Sequence, residues 1–80
     1  MMMKEEEIKE HLVSADPEFR RLVDEHKVYD GQLSALHGRH HMTEQDHVEV
    51  IRLKKKKLQL KDQMNSIIQK FRHELSHQHT

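Results

Sequence analysis

The sequence has no cysteine, which excludes a disulfide framework and thiolate chemistry. Tryptophan is absent too, and the aromatic residues are Phe19, Tyr29 and Phe71 alone. With 34% hydrophobic residues, that is thin material for the core of an 80-residue globule. One proline and two glycines beside 35% charged residues describe long helices that bury a stripe and not a volume. Net charge is also missing: 14 basic residues balance 14 acidic ones, so no global field draws nucleic acid or an anionic membrane. No run approaches the roughly 18 apolar residues of a membrane span, and the opening MMMKEEEIKEHL is acidic where a signal peptide is basic and then apolar. A soluble cytoplasmic protein is the expectation. No nucleophile-base pair, glycine-rich phosphate loop or pocketed carboxylate pair can be picked out, so neither an enzyme nor a cofactor is expected.

What is there is helical periodicity. Residues 4–14 predict a short helix, with Glu5, Glu6 and Glu7 at its positive end and Ile8 and Leu12 as apolar points. Asp16-Pro17 ends it and opens a second helix over 17–37, with Asp16 as N-cap and Pro17 in the first turn. Along that helix Phe19, Leu22, His26, Tyr29, Leu33 and Leu36 recur at steps of three and four, forming a seam. Gly31 is a weak spot inside it, and Gly38 marks its end. After a turn over 38–43, Thr43 and Asp46 resemble a capping box for a third helix over 44–76, about 50 Å long, leaving 77–80 as a disordered tail.

The long helix carries the second seam: Val50, Leu53, Leu60, Met64, Ile67 and Phe71, with Lys57 as the one polar member. Two antiparallel helices joined near His40 and His41 pair residues whose numbers sum to about 82, within a helical turn. His26 then falls near Lys57, and His26, Asp30, Lys54 and Lys57 form a polar layer that sets register; the alternative is that Lys57 snorkels to water. Residues 1–42 carry nine acidic and six basic side chains, residues 43–80 five and eight, which suits one half packing on the other.

Ile51, Leu58, Ile68 and Leu75 widen the apolar arc of the long helix to about 200°. One partner helix does not cover that arc. The expected architecture is therefore all-α: an elongated, coiled-coil-like antiparallel two-helix hairpin with a short N-terminal helix, associating into a bundle through its long helix. The missing face belongs to a second copy, giving a dimer or tetramer, or to another protein; no membrane or nucleic-acid partner is expected.

Asp16-Pro17-Glu18-Phe19 with Leu22, then Glu25-His26 and Asp30, then Leu53-Lys54-Lys55, Lys57-Leu58 and Leu60-Lys61-Asp62 with Met64 resemble the YdcH-like family of small bacterial proteins, a domain of unknown function. The resemblance covers about residues 16–68, and the lysine-leucine block is its most specific part. It implies a helical hairpin or coiled coil in the bacterial cytoplasm with no accepted enzymatic activity. Lys56 departs from the family pattern, as do the histidine-rich turn and tail.

Three motifs suggest chemistry beyond packing. His73-Glu74-Leu75-Ser76-His77 satisfies H-E-x-x-H, the zinc-binding helix of metallopeptidases, but nine histidines make a chance match easy and no pocket accompanies it. His37, His40, His41 and His47 cluster at the turn without thiolate or carboxylate support. Lys54 to Lys57 suggest a phosphate-binding patch, yet on a helix four consecutive lysines encircle the rod. No metal site is assigned; His73 and His77 are the candidates. The functional expectation is a structural or protein–protein interaction module, with a metal-responsive or nucleic-acid-associated accessory protein as the alternative. The histidines also predict weaker assembly at pH 5 than at pH 7.5, as His26 gains charge beside Lys57.

Overall fold

Asp16 serves two helices at once. Its backbone N–H donates to the Leu12 carbonyl at 2.7 Å, closing the last turn of the first helix. Its carboxylate accepts from the Glu18 and Phe19 amides at 3.0 and 3.3 Å, opening the second. Pro17 in the first turn gives up an N–H that has no intrahelical acceptor there. The computed structural model describes residues 3–77, and of His77 the backbone only; of the tail expected over 77–80, His77 is helical instead, and residues 78–80 with the side chain of His77 lie outside the described residues. The helices are α1 (Glu5–Ala15), α2 (Pro17–His37) and α3 (Glu44–His77). All described secondary structure is helical, and the protein measures 57 × 20 × 17 Å, with α3 as its long axis.

At the turn, α2 ends at His37, and Gly38 takes right-handed angles (φ −79°, ψ −7°), so the left-handed freedom of glycine is not used there. The amides of Gly38 and Arg39 donate to the Ser34 and Leu36 carbonyls, closing the helix end. Thr43 and Asp46 form a reciprocal box: the Asp46 amide donates to Thr43 Oγ1 at 3.1 Å, and the Thr43 amide donates to Asp46 Oδ2 at 3.0 Å. Arg39 Nη1 adds a 2.9 Å bond to Asp46 Oδ1, tying the link to the start of α3. Gly31 lies within an unbroken α2, with open space where a Cβ would project.

α2 and α3 pack as an antiparallel hairpin, and α1 folds back onto both. Two apolar clusters result. Near the turn, Leu33 and Leu36 meet Val50 and Leu53, with Tyr29 and Met42 against them. At the other end, Ile8 and Leu12 of α1 meet Phe19 and Ile68, flanked by Val13, Val23, Met64, Ile67 and Phe71. Leu22 and Leu60 are buried as well. Of the seam residues, Phe19, Leu22, Leu33, Leu36, Val50, Leu53 and Leu60 are buried, and Tyr29, Met64, Ile67 and Phe71 are half-buried.

The pairing lies about one turn further along α3 than a hairpin centred on His40 and His41 gives: Asp30 meets Lys57, and Phe19 packs with Ile68. The cause is at the link. The last buried residue of α2, Leu36, is next to its end, whereas α3 buries nothing before Val50, so its capped first turn runs on beyond α2. Met42 folds in to close the core there.

Candidate functional site

The surplus apolar arc of α3 has two fates. Ile68, expected on an oligomer face, is 2% exposed because α1 lies over it, so that assignment is corrected: Ile68 is core. Leu75 is half-buried. Ile51 and Leu58 are 57% and 58% exposed, and Val48, which the seam reading passed over, is 65% exposed. Val48, Ile51 and Leu58 are spaced three and seven residues apart and share one side of α3. The exposed Val28 is separate, since its helical phase on α2 turns away from the seam.

Between α2 and α3 runs a groove that α1 fills at one end and leaves open toward the turn. The open part, about 430 Å³, is lined by Asp30, Leu33, Ser34 and His37 from α2 and by Lys54, Lys57, Leu58 and Lys61 from α3. Lys61 also lines the concavity beside α1, with Glu5, Lys9, Val23, His26 and Lys27. The lysine run divides as helical phase requires: Lys54 and Lys57 face this groove, while Lys56 lies on the opposite side with Arg21, Glu25 and Gln59.

Of the polar layer, the structure joins Lys57 and Asp30, whose Nζ and Oδ1 are 2.5 Å apart. That hydrogen bond, and the lysine charge with it, holds the Asp30 carboxyl below its ordinary pKa. Lys54 is exposed on the groove wall. His26 is half-buried, and its Nε2 is buried without a hydrogen-bond partner among the described residues. Burial pushes the His26 pKa down and the charge of Lys57 pushes the same way; Asp30 pulls against them less strongly than Lys57 pushes, and Lys61 and Lys9 add smaller downward pushes. Lys57 is thus neither purely a register residue nor free in water: it reaches out of the seam to a carboxylate at the groove edge, with its side chain 30% exposed.

The other candidates are not brought together. His37, His40, His41 and His47 are all exposed. His73 is exposed on α3, and its proposed partner His77 has its side chain outside the described residues. Among the described residues no group of three or more histidine, aspartate or glutamate side chains is placed to hold a metal ion. Among them, too, no helix is long and apolar enough to cross a membrane. The sequence reading named Ile8 and Leu12 as the apolar points of α1 but missed their docking over Ile68. Its signal was present: Ile8 and Leu12, one turn apart on a short helix, are a matching stripe for the surplus on α3.

No curated protein and no solved structure matches the chain. The family described as a protein of unknown function, DUF465, matches residues 19–68, which takes in α2 from Phe19, the link and α3 as far as Ile68, and leaves α1 outside the match. More than half of the chain is covered, including the lysine-leucine block that carries the YdcH-like resemblance, and the chain belongs to the DUF465 family, the group of the YdcH-like proteins.

Proposed function

We propose that the protein is a cytoplasmic structural or protein–protein interaction module without enzymatic activity, and that the first half of α3 is its contact surface. The observation that carries this reading is the stripe of Val48, Ile51 and Leu58, each more than half exposed on a helix whose other apolar residues are buried or half-buried. Leaving three large aliphatic side chains in water on one side of one helix forgoes roughly 1.5–3 kcal/mol for each that a partner would fully bury. The partner is a second copy, in a dimer or tetramer, or a different protein.

The test compares the wild-type chain with a double variant, Ile51→Glu with Leu58→Glu, after circular dichroism shows both to be helical. Sedimentation equilibrium at pH 7.5 in chelator gives the mass of each, and affinity capture from a lysate gives their companions. A smaller mass or lost companions in the variant supports the reading. Identical mass and identical companions overturn it.

A further inference from the structure

We propose that the open half of the α2–α3 groove seats an acidic amphipathic helix from a partner protein, lying end to end with α1. The inference rests on the reading that the first half of α3 is a contact surface, and it names what that surface takes. α1 shows how this groove is filled. It is an eleven-residue helix that inserts Ile8 and Leu12, one turn apart and exposed by 1% and 5%, against Phe19 and Ile68. Beyond Lys61 the same groove continues with no occupant among the described residues, with Leu33 and Leu58 along it; Ile51 is exposed beside Leu58's side of α3, two turns nearer the link. The opening takes in Lys54 to Lys61 of α3, and with the exposed Val48 and Ile51 before it the stretch spans about 20 Å, the length of a helix of about three and a half turns.

Charge selects among helices that would fit. Lys54, Lys57 and Lys61 border the opening, and the one carboxylate there, on Asp30, is already engaged by Lys57. A helix carrying glutamates beside its apolar stripe sets them against Lys54 and Lys61. The α3 helix of a second copy would instead bring its own lysine run against this one, a like-charge juxtaposition that disfavours such pairing. Recognition of this kind reads as apolar anchors at helical spacing, with charge setting partner choice.

The test uses the full chain and two fluorescein-labelled 14-residue peptides. Both have leucines at i, i+3, i+7 and i+10 with alanines between; one has glutamates at the remaining positions, the other lysines. Fluorescence anisotropy should show the glutamate peptide binding, with affinity falling as salt rises. Binding should weaken at least roughly tenfold for a Lys54→Glu, Lys61→Glu protein, which should now take the lysine peptide instead. Both substitutions are at exposed positions, so the fold is retained. Amide shift changes should map to residues 33–37 and 51–61. Equal binding of both peptides, no binding, or shifts confined to other residues would overturn the proposal. So would a dimer whose formation excludes the peptide, which assigns the groove to a second copy. If the peptides fail while Ile51→Glu with Leu58→Glu still changes mass or companions, this proposal falls and the interaction-module reading stands; if neither responds, both fall.

Discussion

Ile68 and Leu58 are both aliphatic, both on α3 and both outside its heptad seam, yet one is 2% exposed and the other 58%. Nothing in their local sequence separates them. The difference is α1, which folds over the second half of α3 and stops short of the first. A hairpin of two helices leaves part of each apolar arc uncovered, and here one end is completed by α1 while the other stays exposed among the described residues. Self-sufficiency at one end and an open groove at the other follow from where a single short helix lands.

One carboxylate placed in each half should separate the two most strongly. Ile68→Asp buries a charge among Ile8, Leu12 and Phe19 and should cost more than about 3 kcal/mol, whereas Leu58→Asp, in water, should stay within about 0.5 kcal/mol. Thermal melts that drop equally for the two would end the distinction between covered and uncovered halves. Removing the cover comes next. Ile8→Ala takes out one of the two anchors of α1 and should cost about 2 kcal/mol. Its signature is loss of the contact between the His11 and Phe71 rings, whose centroids are 5.2 Å apart, read from the proton shifts of either ring. Unchanged ring shifts with a lowered melting temperature would mean that α1 stays docked without Ile8.

Smaller effects sharpen the description of each half. Gly31→Ala, at the level of the open groove and with nothing within 4 Å of the new Cβ, should raise stability by about 0.5–1 kcal/mol through helix propensity. A decrease would show that the glycine is needed for its conformation. The smallest change expected is the pH response of His26, which sits where α1 ends and the open groove begins. Its folded pKa lies below its ordinary 6.5, so the unfolded chain takes the proton first. Stability is full above that ordinary value, declines as pH falls through 6.5 toward the folded value, and loses no more below it. The groups around His26 are Lys57, Lys61, Lys9 and Asp30, with Glu5 and Lys27 lining the same concavity. The melting temperature of a His26→Gln protein should therefore fall less between pH 7.5 and pH 5 than that of the wild type; equal slopes would remove His26 as a contributor. The lowered carboxyls of Asp30, Asp46 and Glu49 act in a separate window, losing their stabilisation as pH falls through the ordinary values, 4.5 for Glu49 and 3.8 for the two aspartates, toward the folded ones.

Much of the fold was legible because its signals are local. Asp16-Pro17 both ends one helix and caps the next, Thr43 and Asp46 close on each other within one turn, and the three-and-four spacing of Phe19 to Leu36 and Val50 to Phe71 marks the faces that meet. The register was legible only to within a turn. Met42 and the Arg39 bond to Asp46 set where α3 starts relative to α2, and neither announces itself in a periodic pattern. Of the candidate site, the surplus of Ile51 and Leu58 could be counted from the helical wheel, but Val48 was passed over and Ile68 was assigned to the wrong fate.

Three helices, the junctions between them and the apolar stripe on each are dictated locally, because capping, proline geometry and helical periodicity act between residues a few positions apart. Tertiary structure alone decided which part of the wide α3 arc is covered, where Lys57 finds its carboxylate and which lysines border the open groove. Those outcomes depend on the angle at which α1 leaves Asp16 and on the offset between α2 and α3, both set by packing between residues far apart in the chain.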